Sequence, residues 1–532
     1  EMQRSLVGSE MCIRDRSHSV VDTVRCGRLF MRRENILSKD NGSMDDNLKK
    51  KTKTALFWSF ADKFGQQLLY LVSGVLLARM LSSAEYGMMG ELAIFIALSG
   101  ILLDSGFSSA LIRKKDSTDT DYSTIFFLNV AISVTLYLIL FFCSPVIAEF
   151  FGHTKQTGQA DFTRVCQVLF SAILFNALAL IQQTRAFKLL QFTTIARVNN
   201  LSLALSSAIA IGLAYYGFGI WALVAQTVGL SLFRAILFWF YSSWRPRLEF
   251  RVSVIREFFG YSSNLFVSGI LNNLFNKIYP PIIGKVYGLD SAGFYAQADK
   301  YQEMASSLIG NIFRSVGFPV LSSVHQDRER LIRVFRKYIR TMSFFIFPVM
   351  MLMMIVSEPM FVILIKEKWL PAVPLFRLLC ISGMFAPFIV LYYDLFNSIG
   401  RSRLNLQIEI GKKIYLLAGI CLLYSQSVLS LTYLWISYTL LSLVVSVLFA
   451  HRLIRYSARL FIADILPYFC IALCTGVVSV VAYRYLDGNA TRFFAVSAIY
   501  MTVYLFSCFL FKRETLDEIW QMVQASRHKP QK

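Results

Sequence analysis

Residues 185–251 read RAFKLLQFTTIARVNNLSLALSSAIAIGLAYYGFGIWALVAQTVGLSLFRAILFWFYSSWRPRLEFR. Two apolar stretches, 198–217 and 219–241, meet at Tyr216-Gly217-Phe218, which carries no charge. Each is roughly the twenty residues that a helix needs to cross about 30 Å of hydrocarbon. Cations bracket the pair: Arg185 and Lys188 before it, Arg245, Arg247 and Arg251 after it. Positive side chains resist translocation, so this segment reads as a transmembrane hairpin whose turn lies on the outer side.

The same rhythm runs from about residue 55 to residue 511. Fourteen apolar stretches are expected at 55–80, 87–110, 123–148, 164–184, 198–217, 219–241, 257–284, 293–320, 341–365, 374–398, 405–424, 428–450, 462–484 and 490–511. Every second connection collects Lys and Arg, among them Arg113, Lys114 and Lys115, then Arg401 and Arg403, then Arg452, Arg455 and Arg459. The alternation predicts an all-α integral membrane protein with about 14 transmembrane helices and both termini in the cytoplasm. No connection is long enough for a separate soluble domain; the longest outer one lies near 152–162.

Composition agrees. Hydrophobic residues make up 55% of the 532 and charged ones only 16%, too few charges for a soluble chain of this length. The net charge of +21 is explained by a cytoplasmic rim facing anionic headgroups, and nucleic acid is not an expected partner. Nine cysteines show no metal or redox spacing, and Cys470 and Cys474 read as apolar positions on one helical face. No phosphate-cradling Gly-Lys-Ser loop is present, so no cofactor and no ATP hydrolysis by this chain are expected.

Residues 1–43 are polar, Arg-rich and without an apolar run, and part of them, SLVGSEMCIRD (5–15), resembles a translated sequencing adapter. They read as a non-native or disordered leader ahead of Met44. Two connectors read as amphipathic. In one, Leu331, Val334, Phe335 and Tyr338 form an apolar stripe opposite Arg333, Arg336, Lys337 and Arg340, the pattern of a helix lying in the membrane interface. The other, around 242–256, is the natural joint between two halves.

The halves repeat. LSSAEYG (81–87) matches LDSAGFY (289–295), and Gly106-Phe107 matches Gly317-Phe318. Six spans separate the copies, so both halves share one orientation, as in parallel-repeat transporters. The expected division is an N-lobe over 44–241, the linker over 242–256, a C-lobe over 257–450, and two further spans with a tail over 451–532.

Polar side chains interrupt several spans, where each is costly unless it faces a wet cavity or a partner. Span one carries Ser59, Asp62, Lys63, Gln66 and Ser73 on one stripe. Span seven carries Asn264, Ser268, Asn272 and Asn276 at steps of four, with Lys277 beside them. Glu91 and Asp104 lie in span two, Arg234 in span six, Arg314 in span eight and Asp394 in span ten. Lys63, Asn272, Asn276, Lys277 and Arg314 are the cavity candidates. Asp62, Glu91 and Asp104 are the gating or coupling candidates. The bland readings are an Asp62–Lys63 pair and snorkelling of Asp104, Arg234 and Arg314 toward the cytoplasmic face. Pro280, Pro281, Pro319, Pro348 and Pro387 mark kinks that can serve as gates.

Three stretches carry a resemblance. DSGFSSALIRKKD (104–116) with DYST (121–124), EKWLPAVPL (367–375) and RSVGFPVLS (314–322) resemble the polysaccharide flippases of the Wzx type. These form a branch of the multidrug/oligosaccharidyl-lipid/polysaccharide exporter superfamily. The resemblance covers the chain from about Met44 onward. It implies two pseudo-symmetric lobes around a central cavity in the bacterial inner membrane. It also implies an undecaprenyl-diphosphate-linked oligosaccharide as cargo, moved between leaflets by alternating access. Membrane lipids, and a polysaccharide polymerase with its chain-length machinery, are the implied partners. Related lipid-diphosphate flippases have strongly cationic cavities rich in arginine; this chain has fewer such arginines. Two other classes fit less well. A multidrug exporter of the same superfamily would use cavity carboxylates such as Asp62 and Glu91. A polysaccharide polymerase or ligase would carry a large periplasmic loop, which this chain lacks.

Overall fold

The computed structural model describes Trp58 and residues 61–104, 106–114, 116–152, 159–258 and 274–512. Those residues fold into helices, with no strand among them. In chain order they are α1 (61–80), α2 (Ser83–Asp104), α3 (Phe107–Arg113), α4 (Asp119–Phe150), α5 (Gln159–Phe170), α6 (Ala172–Lys188), α7 (Phe192–Tyr215), α8 (Ile220–Tyr241) and α9 (252–258). There follow α10 (Tyr279–Tyr287), α11 (Leu289–Ser323), α12 (Arg328–Ile355), α13 (Ser357–Ile365), a 3₁₀ turn (Glu367–Ala372), α14 (Val373–Ser398), α15 (Ser402–Leu423), α16 (Val428–Ile454), α17 (Ala458–Tyr485) and α18 (Asn489–Phe511).

Ten helical stretches among the described residues are long and apolar enough to cross a membrane. Three of the remaining expected spans coincide with α1, α11 and α15, which carry more ionisable residues. The fourth, 257–284, lies largely outside the described residues. Large apolar side chains cover the outward surfaces, including Phe142, Val146, Phe506 and Phe511. That exposure suits lipid and would be an aggregation hazard in water.

Local chemistry sets the helix ends. The Thr118 hydroxyl accepts the Asp121 N–H, and the Asp121 carboxylate accepts the Thr118 N–H, so a capping box opens α4. Asp327, Ser427 and Ser457 cap α12, α16 and α17 through side-chain oxygens. Expected span two breaks into α2 and α3 at Gly106, whose φ of 76° suits glycine.

In the N-lobe, α7 presents Ser202, Ser206, Ala210 and Ala214 on one buried stripe at steps of four. Small residues let α8 approach closely, and a Cβ on Gly229 of α8 would already touch Ser206. Helices α10 to α18 share one large core, where Phe335 packs edge to face on Tyr392 and Tyr456, and Tyr392 lies tilted against Phe461. α17 and α18 belong to that core through Tyr468, Tyr500 and Tyr504.

The lobes meet where α2 crosses α10 and α11. The two repeat segments touch each other there. A Cβ on Gly87 would strike the Leu289 carbonyl, and one on Gly293 would strike the Ser83 carbonyl. Main chain crosses main chain because both positions are glycine. The glycine of each segment thus meets main chain of the other. Ser83 Oγ also donates to Asp290.

Two connectors depart from expectation. The stripe of Leu331, Val334, Phe335 and Tyr338 is not a separate interfacial helix. It continues into the following span as α12, and Leu331 and Phe335 are buried in the C-lobe core. The apolar face was correctly located, but protein covers it instead of lipid headgroups. The 242–256 joint is extended before α9 begins, and it is docked on the N-lobe. Gln182 donates to the Trp244 carbonyl at 3.3 Å, and the Arg247 and Arg251 amides donate to Ser123 and Thr124 at 3.0 and 3.2 Å. Trp244 packs edge-on against Tyr122.

Candidate substrate cavity

A cavity of about 410 Å³ lies between the lobes. Gln67 and Tyr70 of α1 and Ala93 of α2 form its N-lobe wall. Asn276, Lys277 and Tyr279 ahead of and within α10, Asp299, Lys300 and Glu303 of α11, and Trp435 of α16 form the C-lobe wall. The aromatic part is interlocked: Tyr279 stacks on Tyr295 with centroids 5.7 Å apart and meets Trp435 edge-on at 5.3 Å.

Among the described residues the charged groups of this lining are two lysines and two carboxylates, a mixed chamber where the resemblance implied a strongly cationic one. Asp299 and Glu303 are four residues apart on α11 and share a helix face. Lys300 reaches across to the other lobe, where a Cβ on Gly74 would lie 2.6 Å from its Nζ. In mirror fashion, the Glu91 carboxylate crosses from α2 onto Gly284 of α10. Two charged side chains, one per lobe, therefore rest on glycine backbone of the opposite lobe. Glu91 is fully buried in that position.

The cavity candidates separate. Asn276 and Lys277 line the cavity. Asn264, Ser268 and Asn272 lie outside the described residues. Lys63 is exposed and away from the lining, because adjacent helical positions point apart and Asp62 turns into the N-lobe. Arg314 is also outside the lining. Its guanidinium faces Asp394 of α14 at 3.9 Å while remaining 64% exposed.

Among the gating candidates, Asp62 belongs to an amide cluster. Gln66 donates to it at 2.8 Å, and Asn199 and Asn200 of α7 each at 3.2 Å. These donors, and not Lys63, hold the Asp62 carboxylate. Arg234 of α8 is within coulombic reach of Asp62 and Tyr70, which ties it to the lobe interior. Asp104 accepts the Ser108 N–H at 3.2 Å and so caps the first turn of α3 beyond the Gly106 break. That is a structural role at the end of a broken span.

Reading for isolated charges missed Asp299, Lys300 and Glu303. Three ionisable residues within five positions of an apolar helix was the signal that could have found them.

Two helical lobes, before and after the 242–256 joint, with a mixed-charge chamber between them, have the architecture of a membrane transporter. The family described as "Polysaccharide biosynthesis protein" matches residues 76–374, more than half of the chain, and the chain belongs to it. It is 26% identical over 431 residues to the teichuronic acid biosynthesis protein TuaB of Bacillus subtilis (strain 168), covering 79% of this chain and 87% of that one. It is 24% identical over 343 residues to the lipopolysaccharide biosynthesis protein WzxC of Escherichia coli (strain K12), covering 64% of this chain and 68% of that one. Among solved structures, the lipid II flippase MurJ in an inward closed conformation superposes with a TM-score of 0.69 at 15% identity, over 87% of this chain and all of that one. The shared fold is that of a multi-pass helical membrane protein.

Proposed function

We propose that this chain moves a lipid-diphosphate-linked oligosaccharide from the cytoplasmic to the periplasmic leaflet by alternating access. Membership of a polysaccharide biosynthesis family supports the pathway. The names of TuaB and WzxC place those relatives in teichuronic acid and lipopolysaccharide synthesis, and MurJ is named for the lipid it flips. The observation that carries the proposal is the pairing of Lys277 and Lys300 with Asp299, Glu303, Asn276 and Gln67 in one interlobe cavity. Such a cargo joins an anionic diphosphate to a hydroxyl-rich glycan. The ammonium groups suit the diphosphate, and lysine offers the compact charge for it. Carboxylates and amides suit sugar hydroxyls. The lipid tail stays outside, between the lobes. Asp299 and Glu303 balance the two lysines, so the multidrug alternative is disfavoured by family membership and not by the charge of the chamber.

In this scheme the connections rich in Lys and Arg face the cytoplasm, and the closed α2–α11 crossing faces the periplasm. The membrane potential helps, since moving an anion outward gains about 2.3 kcal/mol per charge per 100 mV. The test is surface polysaccharide in a host strain lacking the chromosomal copy, with membrane protein quantified in parallel. Lys277→Ala is expected to abolish surface polysaccharide and Lys277→Arg to keep part of it. Lys63→Ala, off the cavity, is expected to stay near normal. Full export by Lys277→Ala would remove the assignment of the diphosphate to this chamber.

A further inference from the structure

The lobes exchange helix caps at the end of the molecule opposite connections such as 113–115 and 401–403. A helix leaves its last carbonyls without partners inside the helix, and its C-terminus carries negative partial charge. At the end of α1 those carbonyls are taken by the opposite lobe. The Trp369 indole N–H donates to the Ala78 carbonyl at 2.8 Å. Lys368 Nζ donates to the Arg79 carbonyl at 3.2 Å and to the Leu81 carbonyl. The exchange also runs the other way. Arg79 of α1 donates through Nε to the Leu364 carbonyl at 2.6 Å and through Nη2 to the Ile363 carbonyl, both at the end of α13.

The turn that supplies Lys368 and Trp369 is held in an unusual conformation. Lys366 has φ 75° and ψ 166°, a region that side-chain-bearing residues rarely enter. It reverses the chain directly after α13 and sets the 3₁₀ turn against α1. Trp369 is fully buried, with Tyr86 of α2 edge-on at 5.5 Å and Phe294 of α11 edge-on at 6.0 Å. The indole thus joins the capped end of α1 to both helices of the glycine crossing at Gly87 and Gly293.

We propose that Arg79, Lys368 and Trp369 are a latch that holds this end of the transporter closed and releases when the cavity opens toward it. It rests on the alternating-access scheme of the preceding section and adds the residues that govern one gate. The chemistry suits a reversible closure. Every bond in the exchange joins a side-chain donor to a main-chain carbonyl. On opening, the freed carbonyls and cations line the widening aqueous mouth, where water replaces the lost partners; the same groups facing lipid would be left unsatisfied. The stretch 367–371 thereby acquires a role that its composition alone does not show.

The test places a reporter in the cavity. Ala93→Cys lines the chamber, and its labelling by a membrane-impermeant maleimide added from the periplasmic side is read on that peptide by mass spectrometry in the full-length protein in membranes. With the latch intact, labelling is low. Lys368→Met and Trp369→Phe, which remove donors, are each expected to raise it at least threefold. Lys368→Arg, which keeps charge and donors, is expected to stay within twofold of the parent. Should Trp369→Phe insert poorly, the two Lys368 variants decide. High labelling in the parent, or no rise in either donor-removing variant, overturns the latch. Lys277→Ala is expected to lose export with labelling at the parent's level, so the latch and the cargo assignment fail independently.

Discussion

Lys300 of the C-lobe seats its ammonium on the bare backbone of Gly74 in the N-lobe, 2.6 Å from where a Cβ would stand. A side chain at position 74 competes for that seat. Gly74→Ala is expected to displace only the flexible end of the lysine and to reduce export mildly. Gly74→Leu is expected to expel the ammonium and abolish export while membrane protein stays near normal. The check is surface polysaccharide normalised to protein level; full export by Gly74→Leu would show that the seat is unused.

The paired carboxylates of α11 carry the glycan in this account. Asp299→Asn with Glu303→Gln removes two negative charges but keeps hydrogen-bonding capacity, so export is expected to fall severalfold and not to vanish. Asp299→Ala with Glu303→Ala removes both and is expected to abolish export. Initial export rates of the two double variants test the distinction; equal, normal rates in both would assign the sugar elsewhere.

The structural core of the C-lobe has its own charged anchor. Asp464 of α17 is fully buried and accepts from Arg336 at 2.8 Å, Arg340 at 2.7 Å and the Tyr456 hydroxyl at 2.9 Å. Asp464→Ala leaves two cations without their partner. It is expected to cost on the order of 3 kcal/mol, the lower end for a broken buried pair because the arginines are 31% and 42% exposed. Thermal unfolding of the detergent-purified protein checks this. Adding Arg336→Met to Asp464→Ala should cost less than the sum of the single changes.

Sidedness follows from loop charge. Reporter fusions after Gly152, Tyr216 and Ser427 are expected in the periplasm, and fusions after Lys114 and Asp327 in the cytoplasm. A reversal at any of these sites breaks the orientation.

The helical membrane architecture was legible because length and apolarity alone decide it, as the 198–241 hairpin shows. The segments LSSAEYG and LDSAGFY stood out, and their glycines permit the crossing. Lys277 and Asn276 stood out because a polar stripe on a span demands a wet face. Other features escaped a one-dimensional reading. Whether Lys63 or Gln67 faces the cavity depends on helix rotation, which amides on α7 set by drawing Asp62 inward. Asp104 looked like an expensive charge, yet it caps a helix that begins at a glycine break. The α12 stripe had the right periodicity, but periodicity does not tell protein from lipid as the covering phase. The latch was hidden because its acceptors are main-chain carbonyls, which every residue possesses.

The most direct measurement is leaflet occupancy. In spheroplasts lacking the chromosomal copy and the downstream polymerase, the fraction of lipid-linked oligosaccharide open to a membrane-impermeant oxidant reports the outer leaflet. The account predicts that this fraction rises when the wild-type chain is supplied and stays at background with Lys277→Ala at the same membrane level. Equal accessibility with and without the wild-type chain would contradict it.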